Sequence, residues 1–104
     1  MLQPVVYLTT CDNQETADEI ASQLVEQRFA ACVNVVSPAK STYRWEGKVT
    51  TAQEWLLIIK TVRKHHDDIL DLLRKLSGYD LPEFIALDIT GGSTKYLQWV
   101  IAQT

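Results

Sequence analysis

The sequence contains only two cysteines among its 104 residues, Cys11 and Cys32. Their spacing matches no Cys-x-x-Cys motif, and two residues are too few for the disulfide framework of a small secreted domain. The sequence therefore excludes a disulfide-stabilised fold and a cysteine-rich zinc site. We expect both thiols to be reduced, as in a cytoplasmic protein.

Positive charge is also scarce, with 10 Lys and Arg residues against 13 Asp and Glu residues and a net charge of -3. The basic residues are scattered along the chain, so we expect no nucleic-acid partner. The apolar runs reach about six residues, far below the roughly 20 that span a bilayer. No basic segment followed by a long apolar one begins the chain, so we expect neither a signal peptide nor a membrane partner.

The order of strand and helix patterns begins with a strand, a helix and a second strand. Residues 5–8 and 31–36 are rich in β-branched side chains, which predicts two strands. Between them, Asp12 and Glu15 have the spacing of a capping box at a helix start. The apolar stripe of this helix consists of Ala17, Ile20, Ala21, Leu24 and Val25.

A hairpin and a second helix follow. The Glu46-Gly47 pair predicts a tight turn between two strand-like arms of about ten residues each, which is long for a strand. Ser77-Gly78 ends the second helix, residues 84–89 predict a fourth strand, and Ser93 or Thr94 caps a short last helix. The sequence thus predicts one domain over residues 1–104: an α+β, ferredoxin-like β-α-β-β-α-β sandwich with a C-terminal helix and a long hairpin between the second and third strands.

The predicted strands are apolar on both faces. In residues 55–59 and 84–87, both odd and even positions carry apolar side chains. The two main helices can cover only one face of the sheet, and the last helix has about ten residues, too few to cover the other face. We therefore expect a second subunit to cover it.

Motifs of common catalytic sites are absent. The sequence has no Gly-x-Ser-x-Gly, no phosphate-binding loop and no Gly-x-Gly-x-x-Gly. No His lies in the strand or turn segments to activate Cys11 or Cys32. An acylphosphatase-like hydrolase, which shares this fold, would need an Arg after the first strand, where residues 9–13 carry Asp12 instead. We expect no enzymatic activity.

His65 and His66, followed by Asp67 and Asp68, have the composition of a metal site. Adjacent helical residues diverge by about 100°, so the two imidazoles cannot share one ion. His65 and Asp68 supply only two ligands, which do not define a site. We interpret this segment as the solvated first turn of the second helix.

Charged residues at the ends of apolar strands are the remaining candidates. Glu83 lies beside the start of the fourth strand, and Lys60 lies at the end of the third. Because an unpaired charge beside an apolar sheet is costly, each requires a partner. Two interpretations stay open: a structural ion pair, or a ligand pocket at a subunit boundary near Lys60 and residues 79–83.

Five segments of the sequence resemble the CutA family, the divalent-cation tolerance proteins. They follow one another along nearly the whole chain: Ala31-Cys32-Val33-Asn34, Ser41-Thr42-Tyr43-Arg44-Trp45-Glu46-Gly47-Lys48, Ile59-Lys60-Thr61, Tyr79-Asp80-Leu81-Pro82-Glu83 and Tyr96-Leu97-Gln98-Trp99. The Tyr-x-Trp-x-Gly hairpin and the Tyr-x-x-Pro-Glu strand entry are specific in combination.

This resemblance implies a homotrimer similar to the PII signalling proteins, with the sheets packed inward. It also implies a link to tolerance of copper and other divalent cations, without an established enzymatic reaction. At the positions that correspond to the family's candidate copper ligands, this chain has Thr9, Leu76 and Ser77, which offer no thiolate or imidazole. Cys11, two residues from Thr9, remains a candidate lone soft ligand.

The resemblance and the strand-end charges together predict where a ligand would bind. The candidate binding residues at clefts between subunits are Lys60, Tyr79, Glu83 and Trp45. The cofactor would be a divalent cation such as copper, or the ligand a small molecule. The alternative is a structural trimer that scaffolds other chains and has no ligand of its own.

Overall fold

A four-stranded antiparallel sheet forms the centre of the computed structural model, which describes residues 2–104. Its elements, in chain order, are β1 (Pro4–Cys11), α1 (Gln14–Glu26), β2 (Cys32–Trp45), β3 (Lys48–Val62), α2 (His66–Leu76), β4 (Ile85–Asp88) and α3 (Thr94–Ala102). A short 3-10 helix, Arg63–His65, precedes α2. The strand order β2-β3-β1-β4 confirms the predicted ferredoxin-like arrangement with a C-terminal helix.

The core lies between the sheet and the helix pair α1 and α2. Alternate residues of β1 and β3 point toward these helices, and Val5, Tyr7, Leu57 and Ile59 are fully buried there. This alternation is the usual consequence of strand geometry, in which successive side chains point to opposite faces. The helices contribute apolar side chains to the same cluster: Ala17, Ile20, Leu24, Ile69 and Leu73.

The opposite side of the sheet, called here the open face, is also apolar. Its side chains come from the remaining strand positions: Val6, Leu8, Val36, Leu56, Ile58, Ile85 and Leu87. Helix α3 contacts β1 and β3, but it leaves Val36 43%, Ile85 47% and Leu87 47% exposed. The C-terminal helix therefore does not cover the open face alone, in agreement with the sequence-based expectation.

The hairpin formed by β2 and β3 is longer than predicted. Its strands contain 14 and 15 residues, instead of about ten. Glu46 and Gly47 both have positive φ, at 51° and 79°, as the predicted two-residue turn requires. The register shifts between Val36 and Ala39, where Pro38 has no amide hydrogen to donate. Pairing then resumes to Trp45, and the molecule reaches 44 Å in its longest dimension.

The start of α1 differs from the sequence-based prediction by one residue. The N-cap is Asn13, whose side-chain oxygen accepts a hydrogen bond from the Thr16 amide at 2.8 Å. Asp12, predicted as the cap, instead accepts a hydrogen bond from the Asn13 side-chain amide. Both residue types can cap a helix, and the backbone conformation at Asn13 decides between them.

The first turn of α2 agrees in part with the prediction of a solvated helix turn: His66, Asp67 and Asp68 are exposed, whereas His65 is partly buried. Nδ1 of His66 lies 2.9 Å from the hydroxyl of the buried Tyr7, and its ring packs edge-on against Phe84. His65 lies beside the Phe29 ring, and its Nδ1 contacts the Asp68 carboxylate at 3.3 Å. Each imidazole therefore contacts an aromatic ring, and the exposed first turn of α2 still faces solvent. Over residues 2–104, no helix has the length and apolar character needed to cross a bilayer.

The cap assignment predicts different costs for two neighbouring substitutions. Asn13→Ala removes the hydrogen bond to the Thr16 amide, and we expect it to lower the free energy of unfolding by about 1 kcal/mol. Asp12→Ala removes no hydrogen bond to a backbone amide, and we expect it to lower the free energy of unfolding by at most about 0.3 kcal/mol. Urea denaturation at one fixed protein concentration measures both. Equal losses, or a larger loss for Asp12→Ala, would contradict the assignment.

Candidate functional site

A cavity of about 410 Å³ lies where the hairpin and the segment between α2 and β4 meet. We call it the carboxylate cavity, and its lining residues are Thr10, Tyr43, Trp45, Glu54, Gly78, Tyr79, Asp80, Leu81 and Glu83. Three of these side chains are acidic, three are aromatic and none is basic. The cavity thus combines negative charge with apolar walls.

Glu54 is the carboxylate of the cavity that accepts hydrogen bonds from neighbouring hydroxyl groups. Its Oε2 accepts a hydrogen bond of 2.7 Å from the Tyr79 hydroxyl. Burial acts to raise the pKa of Glu54, but hydrogen bonds to the carboxylate outweigh this effect and hold the pKa below its ordinary value. The donors are the hydroxyl groups of Ser41, Tyr79 and Thr10. Glu54 is therefore a stable anion at neutral pH.

Glu83 has the opposite electrostatic environment. Burial raises the pKa of Glu83, and the nearby charge of Glu54 raises it further. The same two causes, together with the hydrogen bond to Glu54, raise the pKa of the Tyr79 phenol. A positively charged group in the cavity would offset the repulsion between the two glutamates.

Strand register and one glycine place these groups together. Glu54 occupies the same strand parity of β3 as Leu56 and Ile58, so it belongs to the open face, and its cross-strand partner is Ala39. At the end of α2, Gly78 has a φ of 79°, which turns the chain out of the helix. The Tyr79 amide then donates a hydrogen bond to the Ser77 hydroxyl at 3.2 Å, and the Tyr79 phenol donates one to the Glu54 carboxylate.

Three of the four sequence-predicted binding residues meet in this cavity. Trp45, Tyr79 and Glu83 all line it, whereas Lys60 does not. Lys60 lies six residues from Glu54 along β3, a separation of roughly 20 Å. Its Nζ lies 6.0 Å from the centre of the Tyr96 ring on α3. Within residues 2–104, no ion pair joins Lys60 to Glu83.

The candidate metal ligand Cys11 lies in the core and not among the cavity's lining residues. Its side chain is fully buried, and burial followed by the charges of Asp12 and Glu54 raises the pKa of the thiol to about 11. A thiol in this state is protonated at neutral pH, whereas metal binding requires the thiolate. In the part of the chain that the structure describes, no three His, Cys, Asp or Glu side chains are grouped to hold a metal ion.

Sequence reasoning missed Glu54, which lines the cavity and accepts the hydrogen bond from Tyr79. Its signal was present: Glu54 is the acidic member of a strand parity that continues with Leu56 and Ile58. Its partner Tyr79 lies 25 residues away in sequence. The sequence also did not propose Thr10, Tyr43 and Gly78 as binding residues, whereas Asp80 and Leu81 lie within the predicted pocket segment, residues 79–83.

Comparison with known proteins identifies a matching family. The family model described as "CutA1 divalent ion tolerance protein" matches residues 5–103. "Protein CutA, chloroplastic" from Arabidopsis thaliana is 46% identical over 96 residues, which cover 92% of this chain and 52% of the relative. "Divalent-cation tolerance protein CutA" from Thermus thermophilus is 41% identical over 99 residues, 95% of this chain and 96% of the relative. The chain thus spans about half the length of the chloroplast relative.

A solved structure has the same fold. The crystal structure of CutA1 from Oryza sativa superposes with a TM-score of 0.95 at 41% identity, and the match covers 99% of this chain and 94% of that chain. Agreement at this level extends over the sheet, the long hairpin and all three helices.

The hydrogen bond to Glu54 predicts a shift in acid stability. Tyr79→Phe removes a donor to the carboxylate, so the pKa of Glu54 should rise toward its ordinary value, and the protein should lose about 1.5 kcal/mol of stability at neutral pH. Because the folded pKa of Glu54 is depressed, its stabilisation exists above the unfolded pKa and disappears as pH falls through the folded pKa. As the pH falls, Tyr79→Phe should therefore lose the stabilisation by ionised Glu54 at a higher pH than the parent protein does.

Carboxyl-region NMR titration of Glu54 and urea denaturation across the acid range measure these changes. Tyr43→Phe is the matched control, because Tyr43 lines the same cavity without a hydrogen bond to Glu54. A Glu54 pKa that is the same in the parent protein and in Tyr79→Phe would contradict the assigned role of the phenol.

Proposed function

The chain belongs to the CutA1 divalent ion tolerance family, and from this premise we propose that it is a homotrimer that acts in divalent-cation tolerance by binding a metal ion or a small ligand at clefts between subunits. The carboxylate cavity is the observation that carries this proposal. It holds three acidic groups at the hairpin end of the open face, where a packed subunit would enclose them.

The open face supports the assembly. Burying an exposed Leu or Ile side chain contributes roughly 1.5–3 kcal/mol, and several such side chains remain half exposed on this face of one chain. The arms of the hairpin add further exposed apolar groups, including Val49 and Trp45. These surfaces require a partner subunit. The CutA resemblance implies a PII-like assembly of three subunits related by threefold symmetry.

The charge of the cavity supports a cationic ligand. Glu54 stays ionised, no salt bridge within residues 2–104 neutralises Glu83, and Asp80 lies in the same lining. Copper is the ion implied by the family resemblance. Because Thr9, Leu76 and Ser77 provide no soft ligand at the family's candidate copper positions, a metal ion would depend on the oxygen atoms of this cavity.

The proposed role is binding and not catalysis. The family description names ion tolerance and no reaction, and the cavity contains no nucleophile paired with a base. We propose a cytoplasmic location, in keeping with the two free cysteines. The name of the Arabidopsis relative places that protein in the chloroplast. Cell fractionation followed by immunodetection of this chain tests the proposed cytoplasmic location.

A structural trimer without a ligand is the second candidate. One observation favours it: within the described residues, no group of three metal-ligating side chains is present in a single chain. Under this alternative the open face and the hairpin would serve assembly alone, and the carboxylate cavity would be filled by a neighbouring subunit.

The proposed assembly predicts a specific effect of charge on the open face. Leu87→Glu places a carboxylate where subunits would pack, and removing that charge from water is costly. We expect the mass in sedimentation equilibrium to fall from about 35 kDa, three times 11.8 kDa, toward 11.8 kDa.

Val25→Glu is the matched control for this substitution. Val25 is 43% exposed, similar to Leu87 at 47%, but it lies on α1, away from the open face. We expect this variant to keep the parent mass. Dissociation by Val25→Glu, or an unchanged mass for Leu87→Glu, would show that the open face is not the subunit contact.

The proposed binding predicts saturable heat in calorimetric titration of the full chain with Cu(II), Zn(II) or common nucleotides. We expect one site per subunit for at least one of these ligands. For a cationic ligand, Glu83→Gln should weaken binding by about tenfold, because it removes one charge from a partly enclosed site. Absence of heat from every ligand would contradict a binding role and leave the structural trimer.

A further inference from the structure

We propose that the carboxylate cavity binds a small organic cation, an ammonium or guanidinium group on a short apolar chain, held between its aromatic walls and its glutamates. This inference rests on the proposed function, since it names the chemical class of the ligand. It depends on four properties of the cavity: its charge, its walls, its spare hydrogen-bonding capacity and its size.

The charge of the lining selects a cation. Its three acidic side chains, Glu54, Asp80 and Glu83, meet no Lys, Arg or His among the residues that line the cavity. The hydrogen bonds that hold Glu54 in its ionised form also hold it in place. Glu83 lies close enough to Glu54 to respond to its charge. An anionic ligand would be repelled by both groups.

The aromatic walls select an organic cation. Tyr43 and Trp45 are alternate residues of β2, so both side chains lie on the same face of the hairpin, and both line the cavity. Trp45 is 51% exposed, which leaves its ring available to a ligand. A cation over the face of Trp or Tyr is attracted by the ring, and Trp is the most effective of the aromatic residues. Leu81 adds an aliphatic contact.

The hydrogen-bonding pattern suits an ammonium group better than a bare metal ion. Oε2 of Glu54 already accepts a hydrogen bond from the Tyr79 phenol, which reduces its capacity as a metal ligand. An ammonium group needs only acceptors, which the Glu83 carboxylate provides, and a carboxylate such as Glu54 has about four lone-pair sites, one more than its three hydroxyl donors occupy. A metal ion needs several ligands in close contact, and residues 2–104 contain no group of three such side chains.

The size of the cavity fits a small ligand. Its volume of about 410 Å³ falls within the range of roughly 300–1,000 Å³ that is typical of small-molecule sites. Another cavity among residues 2–104 has a similar volume of about 410 Å³. It is lined by Pro38, Ala39, Lys40, Thr51, Ala52 and Gln53, which include neither an acidic nor an aromatic side chain. Of these two cavities, the carboxylate cavity is the one with the chemistry for an organic cation.

Three probes of similar length and different charge test this proposal: n-butylammonium, butan-1-ol and butyrate. Each is titrated into the full-length protein while the indole resonance of Trp45 is followed by NMR. We expect n-butylammonium to bind saturably at least about tenfold more tightly than butan-1-ol, and we expect no binding of butyrate. Equal affinity for the ammonium and the alcohol would overturn the proposal.

Variants identify the groups that bind the probe. Glu83→Gln should weaken n-butylammonium binding by about tenfold, and Trp45→Leu by a similar factor, followed through the resonances of neighbouring residues. Glu19→Gln is the control, because Glu19 is an exposed residue of α1 far from the lining. Since Trp45 is half exposed, Trp45→Leu should fold normally, and far-ultraviolet circular dichroism and mass confirm this for every variant. Undiminished binding in both cavity variants would overturn the proposal.

The outcome separates this inference from the proposed function. Saturable binding of Cu(II), Zn(II) or a nucleotide without binding of n-butylammonium would refute the organic cation and leave the proposed function intact. If no ligand of any class binds to an assembled trimer, both proposals fail and the structural alternative remains.

Discussion

A sheet that is apolar on both faces, but covered by helices on one face only, is the constraint on which the rest of the structure depends. Tyr7 and Ile59 on one face are completely buried by α1 and α2. Ile85 and Leu87 on the other face remain half exposed in the single chain. Hydrophobic burial is the main favourable term in folding, so an uncovered face of this kind favours association. The long hairpin extends this face, and the carboxylate cavity lies at its hairpin end.

The carboxylate cavity illustrates how a charged group can be kept at the end of an apolar face. Glu54 belongs to the same strand parity as the apolar side chains of the open face, yet hydroxyl donors from three separate segments stabilise its charge. Glu83 receives no comparable support, and burial raises its pKa. The two neighbouring glutamates thus differ in their hydrogen-bond support, and the cavity keeps an excess of acidic groups, on which the proposed binding of a cation rests.

Local signals predicted most of the fold. The Glu46-Gly47 turn and the glycine at position 78 occur where the sequence predicts them, and Ser93 is the one of two predicted candidates that caps α3. Each of these features depends on the conformational preference of one or two residues. The start of α1 could not be fixed so well, since Asp12 and Asn13 are equally good caps and only the backbone distinguishes them. The length of the hairpin was underestimated, because strand pairing continues beyond the shift at Val36 and Ala39.

The candidate site was harder to predict, because it depends on contacts between distant segments. Trp45, Tyr79 and Glu83 were identified as separate residues, and the structure brings them to one cavity. Glu54 escaped notice because its importance arises from the Tyr79 hydroxyl, which reaches it only after β3 and the α2 end are in place. Lys60 lies at the far end of β3, since six strand residues cover roughly 20 Å. Sequence position alone gives no such distance.

Small-angle X-ray scattering of the unmodified protein at micromolar concentration tests the central claim, that the open face is buried between subunits. The account predicts a scattering mass near three times 11.8 kDa and a radius of gyration well above the 14.2 Å of one chain. A mass near 11.8 kDa with a radius of gyration close to 14.2 Å would contradict it.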